Sequence, residues 1–287
     1  MVTISNDRVT VQIAEYGAEM RRIVFDGVDY LWSGDEDVWS GTAPIMFPIC
    51  GALVDNKYIY EGKEYTLPKH GFARHSMFTL ENQGDNYAVF LLTSSDETLK
   101  MYPFSFELRV IYKLIGNKVE VGFNVKNTDT KTMYFSIGSH EGYACPEGIE
   151  DYDVIFPQNE TLNSYVLDGE LISHEQLPII KESDRIALYN KFFAVDALVF
   201  KDLKSKSATL RNRKTGRKVT VEFPGRNYFL LWTMTPNNGG NFKYICMEPW
   251  HGVQPMVEST LELTDKEGLE TVNPGCEFES KHIIHLG

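Results

Sequence analysis

Phe104, Phe106, Leu108, Val110, Tyr112 and Leu114 occupy alternate positions of one stretch with mostly polar residues between them, and Val119, Val121, Phe123 and Val125 repeat the pattern around Lys118, Glu120 and Asn124. A period of two buries one face of a strand and wets the other, which a 3.6-residue helix cannot do with this spacing. Ile115-Gly116-Asn117-Lys118 between the two runs reads as a hairpin turn, so the runs are expected side by side and antiparallel. Similar pairs recur at Tyr58–Tyr60 and Tyr65–Leu67 around Glu61-Gly62-Lys63, and at Ala208–Leu210 and Val219–Phe223 around Lys214-Thr215-Gly216. Parallel strands need long crossovers, usually helical. The best helical signal is a turn or two capped by Ser183 or Asp184 and running through Ile186, Leu188 and Tyr189, too short for that purpose. No repeat, low-complexity tract or Pro/Ser-rich linker divides the 287 residues, and all-β folds often reach roughly 250 residues as one unit. The expectation is an all-β chain of stacked, mostly antiparallel sheets with very little helix, residues 1–287 forming one domain.

Charge and composition narrow the partners. The chain has 28 Lys+Arg against 40 Asp+Glu, a formal charge of −12, with 43% hydrophobic and 24% charged residues. No basic block is present, so neither nucleic acid nor an anionic membrane surface is an expected partner. No stretch approaches the roughly 18 apolar residues of a membrane span, and Met1–Val11 lacks the basic-then-apolar pattern of a secretory signal. Cys50, Cys145, Cys246 and Cys276 are scattered, without zinc-site or disulfide-scaffold spacing. Free thiols and a cytoplasmic protein with a small or neutral ligand are expected; oligomeric state stays open. No His-x-His pair occurs for a strand-borne metal site. His282 and His285, three apart in an extended tail, would face opposite ways and cannot chelate together. No metal is expected.

Four segments carry polar residues that a purely structural strand does not require: Phe47-Pro48-Ile49-Cys50-Gly51-Ala52-Leu53 followed by Val54-Asp55-Asn56-Lys57-Tyr58, Lys69-His70-Gly71-Phe72-Ala73-Arg74, Ser136-Ile137-Gly138-Ser139-His140-Glu141-Gly142-Tyr143, and Tyr244-Ile245-Cys246-Met247-Glu248-Pro249-Trp250-His251-Gly252. Taken singly, each has an ordinary reading. A lone histidine is more often a hydrogen-bonded structural group, Glu248 can pair with a base, Trp250 can be core, and glycine beside histidine can be only a turn.

Together the segments resemble the aldose 1-epimerase (galactose mutarotase-like) superfamily, in its order: Phe-Pro-Ile-x-Gly, His70-Gly-Phe-Ala-Arg74, Gly138-Ser-His140, Asp196-Ala-Leu-Val-Phe200 and Glu248-Pro-Trp-x-Gly. The lactose-operon-associated branch is the most similar one. The resemblance implies a β-supersandwich with a sugar cleft across one sheet and no obligatory cofactor. It implies interconversion of the α and β anomers of a hexopyranose by ring opening and reclosure, with Glu248 as general base and His140 as general acid. By the same likeness His70 bonds the sugar near its ring oxygen, Asp196 holds hydroxyls, Arg74 adds a contact at the cleft edge, and Trp250 offers an apolar face. A histidine and a carboxylate suit such proton exchange, where each group typically contributes about 10²–10⁴-fold.

Two positions depart from the branch. Ala52 stands where an arginine is usual, with Arg74 and then Lys57 as candidate substitutes, and Gln254-Pro255 stands where an aspartate is usual. Losing a charged hydrogen bond removes about 1.5–3 kcal/mol of affinity unless another group fills in. Three alternatives follow: a non-catalytic sugar-binding or regulatory protein on the same scaffold, a hexose-6-phosphate mutarotase, which the acidic composition and Ala52 count against, and, last, a glycosidase, which would need a carboxylate pair.

Overall fold

The computed structural model describes residues 1–235 and 242–287. Among the described residues strand makes up 53% and helix 9%, so the all-β class read from the alternation is the one adopted. The first hairpin forms as expected: Phe106–Ile115 pairs with Lys118–Asn127 in the register Leu114↔Val119 and Ile115↔Lys118. Gly116 opens the turn at φ 58°, the positive value a II′ turn requires at its first central position. In the second hairpin Tyr60 lies opposite Lys63, and Glu61 and Gly62 both take positive φ, the I′ arrangement. The third pairs Ser207–Asn212 with Lys218–Glu222.

These units join a 15-stranded sheet, beside a four-stranded N-terminal sheet and two two-stranded ones. The long sheet passes from Ile45–Met46 through Gly138–Ser139, Tyr244–Trp250 and Tyr228–Trp232, and later through Glu277–Leu286 and Lys118–Asn127, to Thr79–Gln83. Sheets of so many strands usually curl or fold over. His282, on Glu277–Leu286, lies 2.8 Å from Glu141 just beyond Gly138–Ser139. Strands far apart along the sheet therefore face each other across the core. One continuous apolar cluster, from Val2 to Leu286, fills the space between.

The helical expectation at 183–189 is corrected. Ser183–Ala187 belongs to the strand Leu171–Ala187, paired with Tyr152–Asp168. Ile186 and Leu188 are both buried, and that two-residue spacing fits a strand face. The helical turn comes later, at Asn190–Val195. The one α-helix among the described residues, Asp96–Met101, has Ser95 as its cap: the Ser95 hydroxyl accepts from the Thr98 N–H, and the Thr98 hydroxyl accepts from the Ser95 N–H. Its Ser-Asp-Glu-Thr start was a readable signal that the strand patterning overshadowed. No helix among the described residues is long and apolar enough to cross a membrane.

Candidate active site

Tyr244–Trp250 is buried along its whole length, as a central strand covered on both faces must be. Tyr244, Cys246, Glu248 and Trp250 share one face of it. On one side Glu248 lies opposite Leu230. On the other, Gly138 pairs with Trp250 and Gly142 with Cys246, a register that sets His140 opposite Glu248. Cross-strand neighbours of this kind approach closely enough for their side chains to meet, and His140 Nε2 lies 3.4 Å from Glu248 Oε2. Gly138 is needed here because a Cβ would come within 2.7 Å of the Trp250 ring.

His70 enters from a segment held against Phe47. Gly71 lies at φ 68°, and a Cβ there would sit 2.2 Å from the Phe47 carbonyl oxygen. The His70 N–H donates to Gly51 O, while its ring Nδ1 accepts from the Gly51 N–H at 3.1 Å. Burial, with His140, Arg74 and Lys69 nearby, holds the His70 pKa well below the usual imidazole value. The ring is therefore neutral, and with Nδ1 accepting, Nε2 carries the proton and can donate to a ligand. The His70 ring stands 5.6 Å from those of both His140 and Trp250.

These groups line a cavity of about 490 Å³, the size range of a small-molecule site. All six residues singled out from the sequence reach it: Glu248, His140, His70, Arg74, Asp196 and Trp250. Asp196, at φ 74° after the Asn190–Val195 turn, accepts a 2.7 Å hydrogen bond from Trp232 Nε1. Arg74 lies on the short Ala73–His75 turn, and its buried Nε has no partner. Ala52 is buried and is not among the lining residues, and Lys57 is committed to Glu64 on the second hairpin. Of the two candidate substitutes for the missing arginine, only Arg74 reaches the cavity.

Trp250 is almost wholly buried. The half-buried rings are Trp39 and Trp232, each 5.2 Å from the His140 ring. Sequence reasoning missed both; Lys69 and Gln254, noted there only within a motif and as a departure from the branch, also line the cavity. Trp232 was findable, since it ends the apolar run Tyr228–Trp232 two residues beyond Leu230. Trp39 sits in a loop without periodicity and gave no signal.

Burial dominates the electrostatics. It pushes the Glu248 carboxyl well above its usual range, reinforced by Glu141 and Asp196, and holds the His140 imidazole down at about 3. Both shifts favour neutral groups, so in the free protein the proton of the pair rests on Glu248. The pair titrates as a unit. His140, Cys246 and Glu248 also present ligand atoms within 4.8 Å of one another, the one such group among the described residues. Burial pushes the Cys246 thiol far up, so without a metal it is a neutral thiol. His282 and His285 do face opposite ways, one buried against Glu141 and the other beside Glu222.

A family model described as aldose 1-epimerase matches residues 1–284. Protein LacX, plasmid, from Lactococcus lactis subsp. lactis is 35% identical over 95% of each chain. A solved galactose mutarotase related enzyme from Lactobacillus acidophilus superposes with a TM-score of 0.93 at 31% identity, over 100% of this chain and 97% of that one. A galactose mutarotase-like protein from Lactobacillus casei gives 0.92 at 26% identity over 100% of both.

Proposed function

Because the chain belongs to the aldose 1-epimerase family, we propose that it interconverts the α and β anomers of a hexopyranose, with Glu248 and His140 exchanging the protons. The observation that carries this is one wall of the cavity. There an imidazole and a carboxyl stand 3.4 Å apart, among buried polar atoms without a protein partner: Arg74 Nε, Trp250 Nε1 and Gln254 Oε1. Such groups suit a neutral, polyhydroxylated ligand whose hydroxyls can satisfy them.

In this reading the Glu248 carboxylate takes the proton of the C1 hydroxyl while His140 gives one to the ring oxygen, and the C1–O5 bond breaks. Rotation about C1–C2 presents the other face of the aldehyde. His140 then recovers its proton from the C5 hydroxyl, Glu248 returns its own to the carbonyl oxygen, and the ring closes. The pair ends as it began. Its productive form has the proton on His140, the reverse of what dry burial favours. Hydrogen bonds from sugar hydroxyls to the carboxylate stabilise that charged form, and the proton has only the short gap between the two groups to cross. His70 Nε2–H is the donor for the ring-oxygen side, Asp196 accepts from hydroxyls, and the half-buried Trp39 and Trp232 cover the sugar's C–H face.

Freshly dissolved α-D-glucose and α-D-galactose followed by polarimetry test the reading. Anomerisation should accelerate with the wild type and fall toward the spontaneous rate with Glu248→Gln. A wild type no faster than that variant across a panel of hexoses would end it. Arg74, a cation lining the cavity with its Nε unpartnered, favours a second reading, a hexose phosphate, which would show as a much lower KM for the 6-phosphate than for the free sugar; Lys69 also lines the cavity but is paired with Glu170.

A further inference from the structure

Behind the cavity a run of buried polar groups crosses the core. Glu141, His282 and Arg226 are all buried. Glu141 Oε1 lies 2.8 Å from His282 Nε2, and His282 Nδ1 lies 3.4 Å from Arg226 Nη2. Arg226 Nη1 donates to the Pro249 carbonyl at 2.7 Å, and its Nη2 lies 3.5 Å from Ser280 Oγ. Ser280 Oγ is 2.6 Å from His251 Nε2, whose Nδ1 is 2.9 Å from Glu270 Oε1. One set of donor directions connects the run, with Glu141 Oε2 and Arg226 Nε left as buried atoms without a partner. Neutral His282 donates from Nε2 to Glu141 and accepts at Nδ1 from Arg226, while the Ser280 hydroxyl donates to neutral His251, whose Nδ1–H donates to Glu270. Arg226 is then the cation between two carboxylate-imidazole arms.

Both ends of the central segment bear on the reacting pair. Glu141 directly follows His140, and the carbonyl held by Arg226 belongs to the residue after Glu248. We propose that Glu141, His282 and Arg226 form a buried ion-pair relay that positions His140 and Glu248. The Glu141 carboxylate, next in the chain to His140, also favours a proton on that pair. The proposal rests on the acid-base roles assigned above. Charges in a core are rarely justified by stability, since apolar replacements of similar shape are often neutral or stabilising. This pair is also linked through a third group instead of touching directly, a poor design for stability alone.

The sign follows from the surroundings. His70, Lys69 and Arg74 face the pair from the 69–74 segment, Asp196 from the loop after Asn190–Val195, and Cys246 from Glu248's own strand. Lys69 and Arg74 oppose protonation of the pair, whereas Glu141 favours it on both His140 and Glu248. Glu141 itself stays ionised, because His282 and Ser139 outweigh its burial.

The test is Glu141→Gln in the full chain, read first by the ¹³C NMR titration of the Glu248 carboxyl, assigned by its loss in Glu248→Gln. That readout needs no substrate, so a chain inactive on every sugar would refute the functional reading and still test the relay. Glu248 should titrate about 1 pH unit lower or more in Glu141→Gln, the size of effect a nearby charge typically has. On an active sugar kcat should fall while KM stays near wild type, because no hydroxyl-binding group is touched, and Arg226→Lys should restore more of kcat than Arg226→Met. An unmoved Glu248 titration in folded Glu141→Gln overturns the proposal. If Glu141→Gln does not fold, Glu141→Gln/Arg226→Met removes both charges; the lost Arg226 cation acts the other way, but Glu141 is the one of the two that sets the Glu248 titration, so a smaller downward shift is expected and an unmoved or upward titration overturns the proposal.

Discussion

Gly71→Ala should damage this protein far more than Gly62→Ala, although the two glycines take nearly the same backbone angle, φ 68° and 72°. An alanine at either position pays for left-handed geometry with about 1–2 kcal/mol, partly offset by about 0.4–1 kcal/mol from a stiffer unfolded chain. At Gly62 nothing lies within 4 Å of the added Cβ, so a net loss of about 1 kcal/mol or less is expected. At Gly71 the Cβ would meet the Phe47 oxygen at 2.2 Å, the Phe47 carbon at 2.5 Å and Pro48 Cδ at 2.7 Å. Two of these are backbone atoms, so the segment has to move, which adds about 1–3 kcal/mol or more. With about 2–4 °C per kcal/mol for a large domain, thermal melts should drop by about 5–15 °C for Gly71→Ala and by about 1–3 °C for Gly62→Ala. His70 would shift with the backbone, and the hydrogen bonds at Gly51 that set its tautomer would weaken. Equal drops for the two variants would show that backbone angle alone, and not the approach to Phe47, requires glycine after His70.

Other expectations concern the cavity. Trp232→Phe removes the donor that fixes Asp196 in the cavity; the bond is exposed, so water replaces it and the melting point changes little, while kcat/KM should fall by about tenfold as Asp196 loses its set position. Arg74→Met keeps the stem and removes donors that include the unpartnered Nε, so calorimetry should show weaker sugar binding while thermal stability holds or rises. Glu248→Gln should stabilise the fold increasingly as pH rises. The folded Glu248 binds its proton more tightly than the unfolded chain does, so its contribution is complete below the unfolded value of 4.5 and is lost as pH climbs through the folded one. The melting-point difference between variant and wild type should widen as pH rises above 4.5, and a constant difference would contradict that burial.

What could be read from the sequence was what local chemistry dictates. The hairpins at 115–118, 61–63 and 214–216 follow from glycine and side-chain alternation over a few residues, and the structure places them there. The residues around the cavity were legible because their motifs resemble a known family, not because any one of them announces chemistry. Register was not legible. That His140 faces Glu248 depends on the pairing of two short strands with Tyr244–Trp250, more than a hundred residues away in sequence. The helical expectation at Ser183 failed because a capping residue also suits a strand edge, and pairing with Tyr152–Asp168 decided between them. Arg226 escaped notice, and His282 was weighed only as a metal ligand with His285, because only the folding-over of the long sheet brings them behind Glu141, although His282 shares the strand face of Ile284 and Leu286 and so marked a polar group aimed at the core.

Magnetisation exchange between the H1 signals of the two anomers, recorded by NMR on an equilibrated sugar with catalytic amounts of protein, tests the central claim most directly because it reads ring opening itself. The wild type should speed exchange for at least one hexose, with the excess largely lost in Glu248→Gln and in His140→Gln. Exchange no faster with the wild type than with either variant, across free and phosphorylated hexoses, would contradict the account.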